Sequence, residues 1–129
     1  MMRTATPISS EQALEAGLII EEVEGDLVSR AIELVRAYAD GEAQMPRISR
    51  EPLGDVPEAL PEINLGHHSQ VIDRILCTTI LDGARMPLRE GLALESRQFG
   101  ACVETKDMHI GMQNFIQNGP RAKAEFVNE

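Results

Sequence analysis

Apolar residues recur along the chain at the spacing of an α-helix, in stretches separated by glycine, proline and short polar residues. The first helix is predicted after Ser9, because Gln12 completes a capping box with it and Gly17 supplies an end. A stronger helix is predicted from the cap Asp26 to Gly41. Its broad apolar face consists of Leu27, Ala31, Leu34 and Tyr38, with Val28, Ile32, Val35 and Ala39 beside them. Residues 18–23, between the two helices, fit either an edge strand or an extended connector.

The second half of the chain predicts three more helices. The third runs from about Ser69 to Asp82 with Gly83 as its stop, and its apolar side is Val71, Ile72, Ile75, Leu76, Thr79 and Ile80. Pro87 is expected as the first residue of the fourth helix, which extends to about Cys102. Its apolar stripe is Leu88, Leu92, Phe99 and Val103.

Thr105 is the expected cap of the fifth helix, and Asp107 in its first turn is favoured by the helix dipole. The apolar face of this helix is Met108, Met112, Phe115 and Ile116, and Asn118-Gly119-Pro120 ends it.

Residues 42–66 lack this periodicity. Four prolines, Pro46, Pro52, Pro57 and Pro61, remove backbone donors and bias the residues before them away from helix. The sequence therefore predicts a mainly α chain in three parts: residues 1–41, a Pro-rich linker over 42–66, and a helical segment over 67–129.

Charge and composition exclude some classes of function. The chain of 129 residues has 21 acidic and 12 basic side chains, a net charge of −9, with only two lysines. This balance argues against nucleic-acid binding, which needs a basic face. No apolar run is long enough to span a membrane, and no secretory signal is visible at the start. With two cysteines and no disulfide framework, a cytoplasmic location is expected.

Few residues form a pattern typical of catalysis or metal binding. His67, His68 and His109 lack the spacing of metal ligands, and Cys77 and Cys102 lie in apolar helical surroundings typical of small core residues. A metal- or cysteine-dependent enzyme is therefore the least favoured hypothesis.

Glu95 is the one unusual charged residue. It falls on the same helical face as Leu88, Leu92 and Phe99, where a buried carboxylate must be paired or hydrogen-bonded. A structural network with an arginine of another helix is the favoured interpretation, and a general acid or base is the alternative.

Four stretches, in order along the chain, resemble the enoyl-CoA hydratase/isomerase (crotonase) family. Residues 4–19, TATPISSEQALEAGLI, resemble its "T-G-x-x-I-S-A-x-E-A-L-x-x-G-L-V", and residues 21–26 its "x-x-V-x-x-D-L". Residues 90–99 resemble "E-G-L-x-x-E-x-x-x-F", and residues 105–115 resemble "T-x-D-x-x-x-G-M-x-x-F". The resemblance implies the C-terminal helical portion of a crotonase-like α/β spiral fold.

In that family the spiral core, the oxyanion-holding N–H groups and usually the acid/base carboxylates lie upstream of these motifs. The resemblance therefore assigns no catalytic residue and no cofactor here, with a coenzyme A thioester as the substrate of the whole enzyme. It implies that these helices cover an acyl-CoA pocket and form the contacts of a homo-oligomer, a trimer or hexamer.

The residues that the resemblance places near acyl-CoA or a subunit interface are Phe115, Met112, Arg121 and Lys123. The family commonly continues "E-K-R-x-P" where residues 117–121 read QNGPR, so only Arg121 or Lys123 can replace the missing basic pair. Ile110 also stands where a glutamate is usual. The Pro-rich segment is longer than in simple hydratases and looks more like hydratase–dehydrogenase fusions or ring-opening acyl-CoA hydrolases. A helical interaction module with an acidic docking surface is the hypothesis from a different class.

Overall fold

The computed structural model describes residues 2–129, and the regular structure of those residues is entirely helical. The five helices are α1 (Ser10–Glu15), α2 (Leu27–Ala39), α3 (Gln70–Ala84), α4 (Leu88–Val103) and α5 (Lys106–Asn118). The prediction of a mainly α chain is confirmed. Within residues 2–129, each helix lacks the length and apolar character needed to cross a bilayer. The chain divides into a smaller unit, Thr6–Ile48, and a larger one, Met2–Ala5 with Ser49–Glu129.

The smaller unit is defined by polar contacts at its helix ends. The Ser9 hydroxyl accepts a hydrogen bond from the Gln12 N–H at 3.1 Å, and the Gln12 side chain accepts from the Ser9 N–H at 3.0 Å. This is the predicted capping box. Asp26 caps α2 by accepting from the N–H groups of Val28 and Ser29. Gly17 and Gly41, with φ of +69° and +76°, take the left-handed conformation just past the two helices.

Residues 18–23 form a connector and no strand. Glu21 holds the connector to α2 through a two-pronged ion pair with Arg30, at 2.8 and 3.0 Å. The hydrogen bonds from Arg30 lower the pKa of Glu21. One of the clustered acids is thus paired and Asp26 is a cap, while Glu22 and Glu24 face solvent.

The larger unit is organised around α3 and α4, which approach most closely at two glycines. A Cβ atom added to Gly91 would lie 2.9 Å from the carbonyl oxygen of Gly83. Gly83 was expected to stop α3, and this prediction is wrong: the helix continues to Ala84. An added Cβ atom at Gly83 would lie 3.9 Å from the Gly91 Cα, an ordinary contact, so the close approach requires glycine at Gly91. Pro87 is likewise the N-cap residue of α4 and not its first helical residue.

Arg3 fastens the chain's start and the Pro-rich segment to α3. Its guanidinium donates to both carboxylate oxygens of Asp73, at 2.7 and 2.8 Å, and to the carbonyl of Pro61 at 2.6 Å. The Arg3 and Asp73 side chains are only 16% and 10% exposed. Backbone bonds Leu53 N–H to Ala84 O and Leu88 N–H to Arg50 O fix the other end of this segment. Residues 49–66 therefore pack as part of the larger unit.

The helices bury little apolar surface. Among the described residues no hydrophobic side chain is buried, and the accessible surface is 10,337 Å². A compact monomer of 14.2 kDa exposes about 6,800 Å², and two separate compact units of these sizes would together expose about 8,100 Å². The excess does not depend on how the two units are arranged, so the two units taken together expose more surface than two ordinary domains of these sizes.

Gly91→Ala should destabilise the larger unit by about 1–3 kcal/mol, because the new methyl group forces α3 and α4 apart. Gly100→Ala is the matched control, since it lies in the same helix with nothing within 4 Å of an added Cβ. It should stabilise the chain by about 0.5–1 kcal/mol through helix propensity. Urea unfolding followed by circular dichroism measures both. Equal effects from the two variants would contradict the close contact.

Arg3→Gln should reduce stability most at neutral pH and progressively less below about pH 4. The Arg3 hydrogen bonds hold the pKa of Asp73 below its ordinary value. The pair therefore contributes fully above the ordinary carboxyl pKa, and its contribution is lost as the pH falls through the lowered one. The measurement is the difference in unfolding free energy between Arg3→Gln and the unaltered chain, taken over a series of pH values. Arg74→Gln, at an exposed arginine of the same helix as Asp73, is the control. A stability difference for Arg3→Gln that stays constant down to pH 2 would contradict the ion pair of Arg3 with Asp73.

Candidate functional site

An open apolar groove with a volume of about 410 Å³ runs along α3 and α4. We call it the α3–α4 groove. Its lining includes Ile72, Leu76 and Ile80 from α3 and Leu88, Leu92 and Phe99 from α4. Phe99 is 63% exposed and Leu92 55% exposed. The helical spacing of these residues was correctly identified, but the groove they form is uncovered within residues 2–129.

Glu95 lies in this groove and is exposed. It makes no hydrogen bond or ion pair with a described residue, so the expected network with an arginine of another helix is wrong. The physical reason is that the apolar stripe around Glu95 has no cover within residues 2–129, so its carboxylate is exposed to solvent. A surface that covers the groove must therefore bring a cation or hydrogen-bond donor to Glu95.

Met112 and Phe115, both on α5, open into two different depressions. Met112 lines one of about 270 Å³ with Met108 and Ile72, and Phe115 lines a crevice of about 200 Å³ with His67 and Pro120. The Phe126 side chain contributes to the walls of both. The expected site residues on α5 therefore lie on either side of a ring from the chain's last residues.

Lys123 and Arg121 follow α5 and are exposed. Burial lowers the pKa of His67, and the nearby charges of His68 and Lys123 lower it further. Ala122 and Ala124, on either side of Lys123 in the sequence, line the crevice together with Phe115 and His67, so Lys123 lies next to it. Arg121 lines neither depression. Of the four expected residues, Phe115 lines this crevice, Lys123 and Arg121 adjoin residues that line it, and Met112 lines the other depression.

Sequence reasoning missed the role of Asp107. It was expected to complement the dipole of α5, yet it is 0% exposed and, with Ser69, is one of the two buried side chains of residues 2–129. Burial would raise the pKa of Asp107, but hydrogen bonds from Ser69 and from backbone N–H groups near the C-terminus hold it below its ordinary value. The available signal was weak: an Asp two residues after a cap is also typical of a simple first turn.

The cysteines and histidines form no metal centre in the described part of the chain, where no three metal-ligating side chains come together. Burial raises the pKa of the Cys77 and Cys102 thiols. A nucleophilic cysteine needs the opposite shift. The geometry of residues 2–129 therefore favours binding of an apolar surface over covalent chemistry.

Phe99→Ala should change the free energy of unfolding of the dilute chain by less than about 1 kcal/mol, against the 3–5 kcal/mol typical of a buried phenylalanine. Phe126→Ala is the comparison, because this ring is half-buried and packs against Gly111. It should cost more than Phe99→Ala. Denaturant unfolding at low protein concentration measures both. A cost above about 3 kcal/mol for Phe99→Ala would mean that the groove is closed in solution.

Comparison of the chain with protein-family models, with curated proteins and with solved structures finds no match.

Proposed function

We propose that this chain is the C-terminal helical part of a crotonase-family acyl-CoA enzyme, where it covers the acyl-CoA pocket and forms subunit contacts. The observation that carries the proposal is the open α3–α4 groove. A self-contained helical module of this size would bury its apolar stripes against each other, whereas residues 2–129 leave them exposed although their helix ends are well defined. Such faces are expected where other parts of a larger fold supply the cover.

The residues that carry the resemblance have packing roles in α4 and α5, which supports this reading. Gly91 permits the close approach of α4 to α3, and Asp107 is buried. At Gly111 a Cβ atom would lie 3.5 Å from the Phe126 ring. These motif positions thus have packing roles. They fit a helical segment that covers a site and contributes no catalytic group of its own.

The parent enzyme would hydrate or isomerise an unsaturated acyl-CoA thioester. In this chain Phe115 and Lys123 would lie near the coenzyme A portion, and Met112 and Arg121 at the pocket or a subunit boundary. The ring-opening acyl-CoA hydrolases of the same family are the alternative branch, which the long Pro-rich segment favours.

Co-expression with a crotonase-family core that lacks its own C-terminal helices tests the proposal. The chain alone should show no hydration of crotonyl-CoA, and the tagged core should co-purify with it and recover thioester hydration. Leu92→Glu, placed in the α3–α4 groove, should weaken co-purification, whereas the exposed Glu104→Gln in the same helix region should not. Hydratase-level turnover by the chain alone would contradict the proposal. A monomer that unfolds cooperatively and never associates with the core would favour the interaction module instead.

A further inference from the structure

Asp107 is the only side chain in residues 2–129 with no exposed surface, and its partners belong to three parts of the larger unit. Its carboxylate accepts a hydrogen bond from the Ser69 hydroxyl, at the N-cap of α3. It also accepts from the backbone N–H of Val127 at 2.9 Å and of Asn128 at 3.0 Å. One carboxylate therefore joins the starts of α3 and α5 to the last residues of the chain.

Residues 122–129, which we call the tail, are fastened at further points. The Asn128 side chain accepts from the Gln70 N–H at 2.8 Å, in the first turn of α3. Glu129 pairs with Lys106, and its carbonyl accepts from the Asp107 N–H at 3.3 Å. At the other end, the Asn114 amide donates to the carbonyl of Ala122 at 2.8 Å.

These contacts are polar, and the tail buries no apolar side chain completely. Phe126 is half-buried and Val127 is 51% exposed. Hydrogen bonds to the Asp107 carboxylate, in a site without water access, are stronger than those between neutral groups. The fully buried Asp107 carboxylate is therefore a strong polar anchor for the tail.

The same tail carries Lys123, one residue from the Asn114 contact. We propose that Asp107 is a positioning residue that fastens the tail across the starts of α3 and α5, and so holds Lys123 beside His67 and Phe115. This goes beyond the role of α5 as a cover. It means that the shape of the crevice beside Phe115 depends on Asp107, which holds the opposite end of the tail. That Lys123 meets an anionic part of a coenzyme A thioester rests on the proposed function; its placement does not.

The side-chain titration of His67, followed by NMR without any ligand, tests the placement. Lys123→Gln should raise the pKa of His67, since it removes a nearby positive charge. Asp107→Asn should raise it in the same direction, because the amide offers one acceptor oxygen where the carboxylate offers two, and the fastening of the tail is weakened. If the lost negative charge of Asp107 acted directly on His67, the pKa of His67 would fall. The direction of the change in the His67 pKa therefore separates release of the tail from a simple charge effect.

The double variant, Asp107→Asn with Lys123→Gln, decides whether the effect passes through Lys123. Its His67 pKa should match that of Lys123→Gln alone. A higher His67 pKa in the double variant than in Lys123→Gln alone would mean that the change at Asp107 gives His67 more contact with water, independently of Lys123. That result would overturn the proposal. No rise in Asp107→Asn, where Lys123→Gln gives one, would overturn it as well.

Ser69→Ala covers the case in which Asp107→Asn fails to fold, because it keeps the carboxylate and removes the Ser69 hydroxyl, which donates to Asp107 and also caps α3 by accepting from the Ile72 N–H. It should produce a smaller rise in the pKa of His67 and faster hydrogen exchange at the Val127 and Asn128 amides, with α4 amides unchanged. Asp82→Asn, at a half-exposed aspartate near the C-terminal end of α3 that pairs with Arg85, is the control and should change neither. Unchanged tail exchange and His67 titration in Ser69→Ala would contradict the fastening. Crotonyl-CoA binding is measured separately. If the His67 results are as expected and the chain does not bind crotonyl-CoA, the proposed function is contradicted and the position of Lys123 is still supported.

Discussion

Gly91 lets the backbone of α4 approach α3 closely, and the larger unit depends on this contact. Two helices side by side make a single layer, and a single layer buries an apolar stripe only if a second layer covers it. The Pro-rich segment and α5 pack onto parts of the pair, through contacts such as Arg3 with Asp73 and Pro61. The α3–α4 groove remains open, and this explains why the apolar side chains of α3 and α4 that line it are not buried.

The chain is therefore held in shape mainly by polar contacts that fix ends and crossings. Caps at Ser9, Asp26, Ser69 and Thr105 define where helices begin. Asp107 then ties the tail to α3 and α5. Such contacts specify geometry but each contributes modestly to stability, because folding exchanges them for hydrogen bonds to water. A chain with defined geometry and uncovered apolar faces fits the proposed place as one part of a larger enzyme.

Local signals in the sequence predicted the helices well. Caps and end glycines act over a few residues, so Ser9, Asp26, Gly41, Thr105 and Gly119 were identified without tertiary information. The errors arose where a residue's role depends on a partner distant in sequence. Gly83 resembles a helix stop although α3 continues past it beside Gly91 of α4, and Glu95 is expected to be buried unless the stripe is known to be uncovered. Asp107 could not be identified as buried, because its partners lie 38 and 20 residues away.

The heat-capacity change of unfolding tests the central claim, because it reports the apolar surface that folding removes from water. Residues 2–129 bury about half of the surface of the unfolded chain, where a compact protein of this mass buries about two-thirds. Calorimetry on the dilute chain should therefore give at most about three-quarters of the roughly 1.5–1.9 kcal/mol/K expected for a compact protein of 129 residues. A value in the full compact range, measured on a monomer, would contradict the open apolar faces.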